Sequence, residues 1–199
     1  MRYIQGTVDY GLRYGSKNGC PLVLSGCVDA SYARCIDTRK SRYGGILMLN
    51  QGPIEWQSKM EDVVALSSME AEYIGACEMV RIITWIRGCL QEIGHLDDES
   101  PTRLGIDNTS AKMFAEEHMV QNRSKHIDVR YHYIRQQIGH RVVELVYQPT
   151  ASMPADTLTK PLGPKLFGRF RNLIGIKRVT LQHDECNIAK LSGCVEMIE

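Results

Sequence analysis

The sequence has no apolar run long enough to cross a bilayer. Its greasiest stretch, Ile82 to Ile86, is broken by Thr84 and flanked by Arg81 and Arg87. The opening residues, MRYIQGTVDYGLRYGS, lack the apolar core and small-residue cleavage site of a secretory signal, so an intracellular, reducing setting is expected. C-x-x-C pairs are also missing. The seven cysteines are odd in number and scattered, which argues against a disulfide framework. His183, Cys186 and Cys194 lie near one another but without the paired spacing of a zinc site. Excess charge of one sign is absent as well: the net charge is +1, so the overall balance does not point to nucleic acid. What remains is 43% hydrophobic and 24% charged over 199 residues, with a mean hydropathy of -0.25. That composition suits one soluble domain of ordinary size and excludes a disordered or fibrous chain.

The charge is unevenly distributed. Between Gln121 and Arg141, Arg123, Lys125, Arg130, Arg135 and Arg141 face Asp128 alone, with His126, His132 and His140 interleaved. From Thr157 to His183 there are six basic residues, among them Lys160, and no acid. Such runs are either solvated helix faces or phosphate contacts, and composition alone does not decide between them.

Periodicity divides the chain further. Leu22 to Ala30 is short, apolar and bounded by Pro21, which predicts a buried strand. Gly44 to Leu49 and Pro53 to Lys59, separated by Asn-Gln-Gly, predict a hairpin, and Val63 to Leu66 a further extended stretch. From Ser68 to Gly94 apolar residues recur at steps of three and four, from Tyr73 through Ile83 to Ile93, so a long helix stopped by Gly94 is expected. Thr102 to Ile106 and Val142 to Tyr147 read as strands, and Thr109 to Glu117, Ile127 to Ile138 and Leu162 to Ile174 as helices, with a helical turn opened by Pro154. The order predicts an α/β fold: a mixed five-stranded sheet with antiparallel first strands and helices on both faces. Trp56 and Trp85 are expected in the core.

Four acidic residues fall where this layout brings strand ends and helix starts to one rim: Asp29, Glu70, Asp107 and Asp156. Each has a structural explanation too. Ser67 and Glu70 fit an S-x-x-E capping box, Asp107 with Asn108 can cap a helix, Asp156 suits a helix N-terminus, and Asp29 suits a turn. Glu72, two residues beyond Glu70, is expected on a different side of the helix. Four carboxylates on one rim would repel one another, and a hard divalent cation such as Mg²⁺ relieves that repulsion.

The segments VDASY (28 to 32), DTRKS (37 to 41), GPIEWQSK (52 to 59), VALSSMEAEYIGACE (64 to 78), IDNTSA (106 to 111), RSKHIDVRYHYIR (123 to 135) and PADTLTKPL (154 to 162) carry a resemblance. In order and spacing they are similar to the ribonuclease H domain of copia-type retrotransposon Pol polyproteins. RYIQGTVDYGLRY (2 to 14) resembles the end of the reverse transcriptase region that precedes it. The resemblance implies a ribonuclease H-like fold and hydrolysis of the RNA strand of an RNA/DNA hybrid with two Mg²⁺ ions, or Mn²⁺. It implies Asp29, Glu70, Asp107 and Asp156 as catalytic and metal-binding residues, with Asp29 bridging the ions. Arg123, Lys125, His126, Arg130 and Lys160 are then expected on the nucleic acid. Residues 1–19 would be a reverse transcriptase remnant, 20–176 the ribonuclease H-like domain, and 177–199 a divergent tail.

The resemblance is incomplete at Ala33-Arg34-Cys35, Ile106 and Gln121, and it fades from Lys177 onward. The partners it implies are the hybrid and, in a full element, the rest of Pol; no membrane partner is expected. A cytoplasmic virus-like particle is the location expected for an active element. The alternative to an enzyme is a catalytically idle remnant that binds nucleic acid or a partner.

Overall fold

The computed structural model describes residues 2–12, 14, 22–96, 100–116 and 125–179. After a short helix α1 (Arg2–Gln5) and strand β1 (Tyr10–Leu12), the chain enters β2 (Leu24–Ser31), β3 (Arg42–Leu49) and β4 (Gly52–Met60). The long helix α2 (Ser68–Glu92) precedes β5 (Thr102–Ile106), α3 (Thr109–Glu116), α4 (Lys125–Gly139) and β6 (Val143–Tyr147). A 3-10 turn (Thr150–Ser152), α5 (Asp156–Thr159), α6 (Pro164–Leu173) and β7 (Ile176–Arg178) complete it. Five strands form one sheet in the order β4-β3-β2-β5-β6. β2 pairs antiparallel with β3 and parallel with β5, and β5 pairs parallel with β6. The sheet is therefore mixed, with an antiparallel start, as expected.

Strand alternation divides the core between the two faces of the sheet. Leu24 and Val28 of β2 and Leu47 of β3 pack with Tyr73, Met79, Val80 and Ile83 of α2, and with Leu104, Ile134 and Leu145. On the other face Cys27 and Ile46 meet Met153 and Ala155, which precede α5. Helix α2 begins where the capping pattern places it: Ser67 Oγ accepts the Glu70 N–H at 3.1 Å. It ends where Gly94 stops it. Gly94 has φ of 70°, its N–H donates to Gln91 O at 2.9 Å, and the His95 N–H reaches Leu90 O at 2.8 Å. This is a Schellman closure, which needs a residue tolerant of positive φ.

Three expectations are corrected. Residues 63–66 form no strand; they run as an irregular connection whose Ala65 packs on Ala71 and Ile74 of α2. Trp56 and Trp85 are not core residues, being 59% and 67% exposed. β4 lies at the sheet edge, and Trp85 falls off the α2 stripe that ends at Ile83 and Leu90. The two end segments also meet, a pairing that local pattern does not predict. β1 pairs antiparallel with β7, and the Arg171 guanidinium of α6 sits 4.0 Å from the centre of the Tyr10 ring.

Candidate active site

Parallel pairing between β2 and β5 ends at Val28 opposite Ile106. The next residue along the chain in each case is an aspartate: Asp29, still paired with Gly44 within β2, and Asp107, just past the end of β5, so the two lie where the parallel pairing ends, at its carboxyl side, the usual place for ligands in open α/β sheets. β2 continues against β3, so the Ala30 N–H lies beyond the last residue paired by β5. Glu72 of α2 fills that position, its Oε1 accepting the Ala30 N–H at 2.9 Å. One carboxylate oxygen from each of Asp29, Glu72 and Asp107 lies within 4.8 Å of the other two. Burial, then the Asp29 charge, pushes the Glu72 carboxyl up to about 9. Its Oε2 is buried with no hydrogen-bond partner. Asp107 is steadied by the Thr150 hydroxyl, which donates to Oδ2 at 3.0 Å, while Asn108 takes over the capping of α3 by accepting the Ala111 N–H.

The structure places Glu70 and Glu72 apart. Glu70 turns back on its own helix start, Oε2 accepting the Leu66 N–H at 2.9 Å, one residue before the cap. Glu72 is the one that reaches the aspartates. Asp156 joins from the other face through Lys160, whose Nζ donates to Asp29 Oδ1 and to Asp156 Oδ1, both at 3.0 Å. The Thr159 hydroxyl donates to Asp29 Oδ2. Gly44 of β3 makes this possible. A Cβ there would lie 2.7 Å from Leu158 Cβ and 2.8 Å from Thr159 Cγ2, so only glycine lets α5 settle on the strand. Burial raises the Asp156 carboxyl, with Asp29 adding to it against the Lys160 bond. Burial also opposes the charge on Lys160, but Asp29 and Asp156 outweigh it and hold the ammonium above its ordinary value.

Known proteins share both the sequence and the fold. Over 176 residues, 88% of this chain, it is 38% identical to the retrovirus-related Pol polyprotein from transposon TNT 1-94 of Nicotiana tabacum, covering 13% of it. It is 35% identical over 179 residues, 90% of the chain, to the corresponding polyprotein from transposon RE2 of Arabidopsis thaliana, covering 12% of it. The chain is thus similar to one stretch of copia-type retrotransposon Pol polyproteins. The chain spans only those small shares of these relatives' length. No protein-family model matches it. Its fold is that of LC11-RNase H1, isolated from compost by a metagenomic approach. The likeness covers 68% of this chain and 91% of that one, with a TM-score of 0.51 at 11% identity.

The basic residues expected on nucleic acid fall in separate places. Arg123 lies outside the described residues, as do the side chains of Lys125 and His126 at the start of α4. Arg130 lies on α4. It lines a groove of about 600 Å³ between α2 and α4 with Arg81, Trp85, Val129 and Tyr133, and its charge acts on the buried Glu61. Glu61 has neither carboxylate oxygen hydrogen-bonded, and burial pushes it up to about 8. Lys160 is bound to two of the acids themselves. Glu72 was findable from the sequence by two signals. The capping box already claimed Glu70, and Glu72 precedes Ala76, Met79 and Ile83 at offsets of four, seven and eleven, the stripe that faces the sheet.

Proposed function

We propose that this chain is a divalent-metal-dependent endonuclease that hydrolyses the RNA strand of RNA/DNA hybrids. The observation that carries the reading is the convergence of Asp29, Glu72 and Asp107 within 4.8 Å at the ends of β2 and β5. Carboxylates at that spacing disfavour one another's charge, and the Glu72 carboxyl is raised first by burial and then by the Asp29 charge. The donor set is all oxygen and includes the unpartnered Glu72 Oε2, which fits Mg²⁺, with Mn²⁺ acceptable to the same donors. Asp29, Glu72 and Asp107 would hold one ion, and Asp156 with Asp29 a second. When bound, a pair of such ions activates the attacking water and stabilises the leaving oxygen of an in-line displacement, giving a 5′ phosphate and a 3′ hydroxyl. The chain's own contribution is positional. The Ala30 N–H fixes Glu72, the Thr150 hydroxyl fixes Asp107, and Thr159 with Lys160 fixes both oxygens of Asp29. In a full element the remainder of Pol would be its covalent neighbour.

A second reading, a segment that binds nucleic acid and cuts nothing, is favoured by one observation. The Lys160 ammonium already supplies positive charge between Asp29 and Asp156. Incubating the purified chain with an end-labelled RNA/DNA hybrid separates the two. The enzyme reading expects cleavage with Mg²⁺ that stops in EDTA and is lost in Asp29→Asn. Binding without cleavage under every metal condition would leave the second reading standing.

A further inference from the structure

We propose that a basic cleft beside the carboxylates seats a backbone phosphate of the bound nucleic acid strand, next to the one over the acids. The inference rests on the nucleic-acid reading above and adds to it a subsite built by the loop between β2 and β3. That cleft has a volume of about 240 Å³ and is lined by Ser31, Arg34, Lys40, Arg42 and Thr159, with Cys35 and Met60 completing it. No acid lines it.

The sequence builds the cleft in three steps. First, β2 alternation puts Ser31 on the same face as Asp29, two residues or about 7 Å further along. Second, the loop returns so that Ser31 pairs with Arg42. Ala33 and Arg39 adopt positive φ of 48° and 53°, the Arg39 N–H donates to Cys35 O at 2.8 Å, and the Ala33 N–H donates to the buried Ser41 Oγ at 3.1 Å. These bonds turn Arg34 and Lys40 towards one mouth. Third, the Arg42 guanidinium is anchored on β4, Nη1 donating to Ser58 O at 3.1 Å and to Ser58 Oγ at 3.3 Å, while Ser58 Oγ donates to Leu158 O at 2.6 Å. The strap that carries Thr159 and the strand that carries Arg42 are thus tied together.

Thr159 joins the cleft to the acids, since its hydroxyl donates to Asp29 while its side chain lines the basic wall. Between Tyr32 and Arg42 the basic residues are Arg34, Arg39, Lys40 and Arg42, against Asp37 alone. A wall of guanidinium, ammonium and hydroxyl groups matches the oxygens of a phosphodiester, with arginine able to engage two at once. A strand whose scissile phosphate lies over Asp29 passes this wall within a nucleotide or so.

The test measures binding of a fluorescent RNA/DNA hybrid in EDTA across a range of NaCl concentrations, for the parent and for Arg34→Ala/Lys40→Ala. Arg42 is left intact because it holds β4. The proposal expects the double variant to bind about tenfold more weakly at low salt, with the slope of log K against log salt reduced by about 1. Arg34→Lys/Lys40→Arg should recover most of both. Mg²⁺ binding by calorimetry and the thermal unfolding midpoint should match the parent. Equal affinity and slope for parent and double variant would overturn the cleft while leaving the nuclease reading intact. Loss of binding in the variant with no cleavage by the parent would support the cleft and sink the nuclease. Millimolar inorganic phosphate at matched ionic strength should leave parent binding unchanged; weakening it to the variant's level would assign the cleft to free phosphate and overturn the proposal.

Discussion

Replacing Glu72 with glutamine perturbs the centre of the account with the least change in shape. Glu72 is 5% exposed, and its carboxyl is pushed from an ordinary 4.5 up to about 9, chiefly by burial and then by the Asp29 charge. At pH 7 without metal, the folded protein therefore carries a proton on Glu72 that the unfolded chain does not. Taking up that proton against a gap of about 2.5 pH units costs about 3 kcal/mol. Glutamine has no such cost and can still accept the Ala30 N–H. The folded form binds more protons between the two values, so the stability of the parent falls as pH rises through that window, while Glu72→Gln is spared that loss. Urea unfolding in EDTA should find the variant less than about 1 kcal/mol ahead at pH 5 and about 2–3 kcal/mol ahead at pH 7. Added Mg²⁺ should close the gap by stabilising the parent alone. A gap independent of pH, or a variant less stable than the parent at pH 7 in EDTA, would refute the reasoning.

Further outcomes follow from neighbouring residues. Lys160→Met leaves Asp29 and Asp156 facing each other without their shared cation, and should cost about 3 kcal/mol without metal, with a larger Mg²⁺-induced rise in melting temperature than the parent shows. Ile83→Ala, fully buried under the sheet, should lose about 2–5 kcal/mol in denaturant unfolding, whereas Trp85→Ala, 67% exposed, should stay within about 1 kcal/mol. Gly44→Ala should push α5 off β3 and lower Mg²⁺ affinity measured by calorimetry, because the added Cβ meets Leu158 and Thr159 below 3 Å.

Much of the fold is legible in local pattern. α2 carries its start in Ser67 and Glu70, its buried stripe from Ala76 to Leu90, and its stop in Gly94, all visible as residue spacing. The same logic misses what depends on partners far along the chain. That Val28 stops opposite Ile106, placing Asp29 beside Asp107, is a matter of sheet register between strands more than seventy residues apart, which no local pattern encodes. The meeting of β1 with β7 is of the same kind. A strand tryptophan suits a core, yet Trp56 is exposed because β4 is an edge strand. Glu70 and Glu72 are separable by pattern, since a capping side chain is already committed to its own helix start. Asp29, Asp107 and Asp156 were read from sequence as candidates, whereas Thr159 as the hinge between acids and basic cleft emerges only from the way α5 lies on Gly44.

The most direct test compares hybrid cleavage by the parent, Glu70→Gln and Glu72→Gln at equal concentration in Mg²⁺. The account predicts EDTA-sensitive cleavage by the parent and by Glu70→Gln, whose glutamine can still accept the Leu66 N–H, and none by Glu72→Gln. An active Glu72→Gln beside an inactive Glu70→Gln would contradict it.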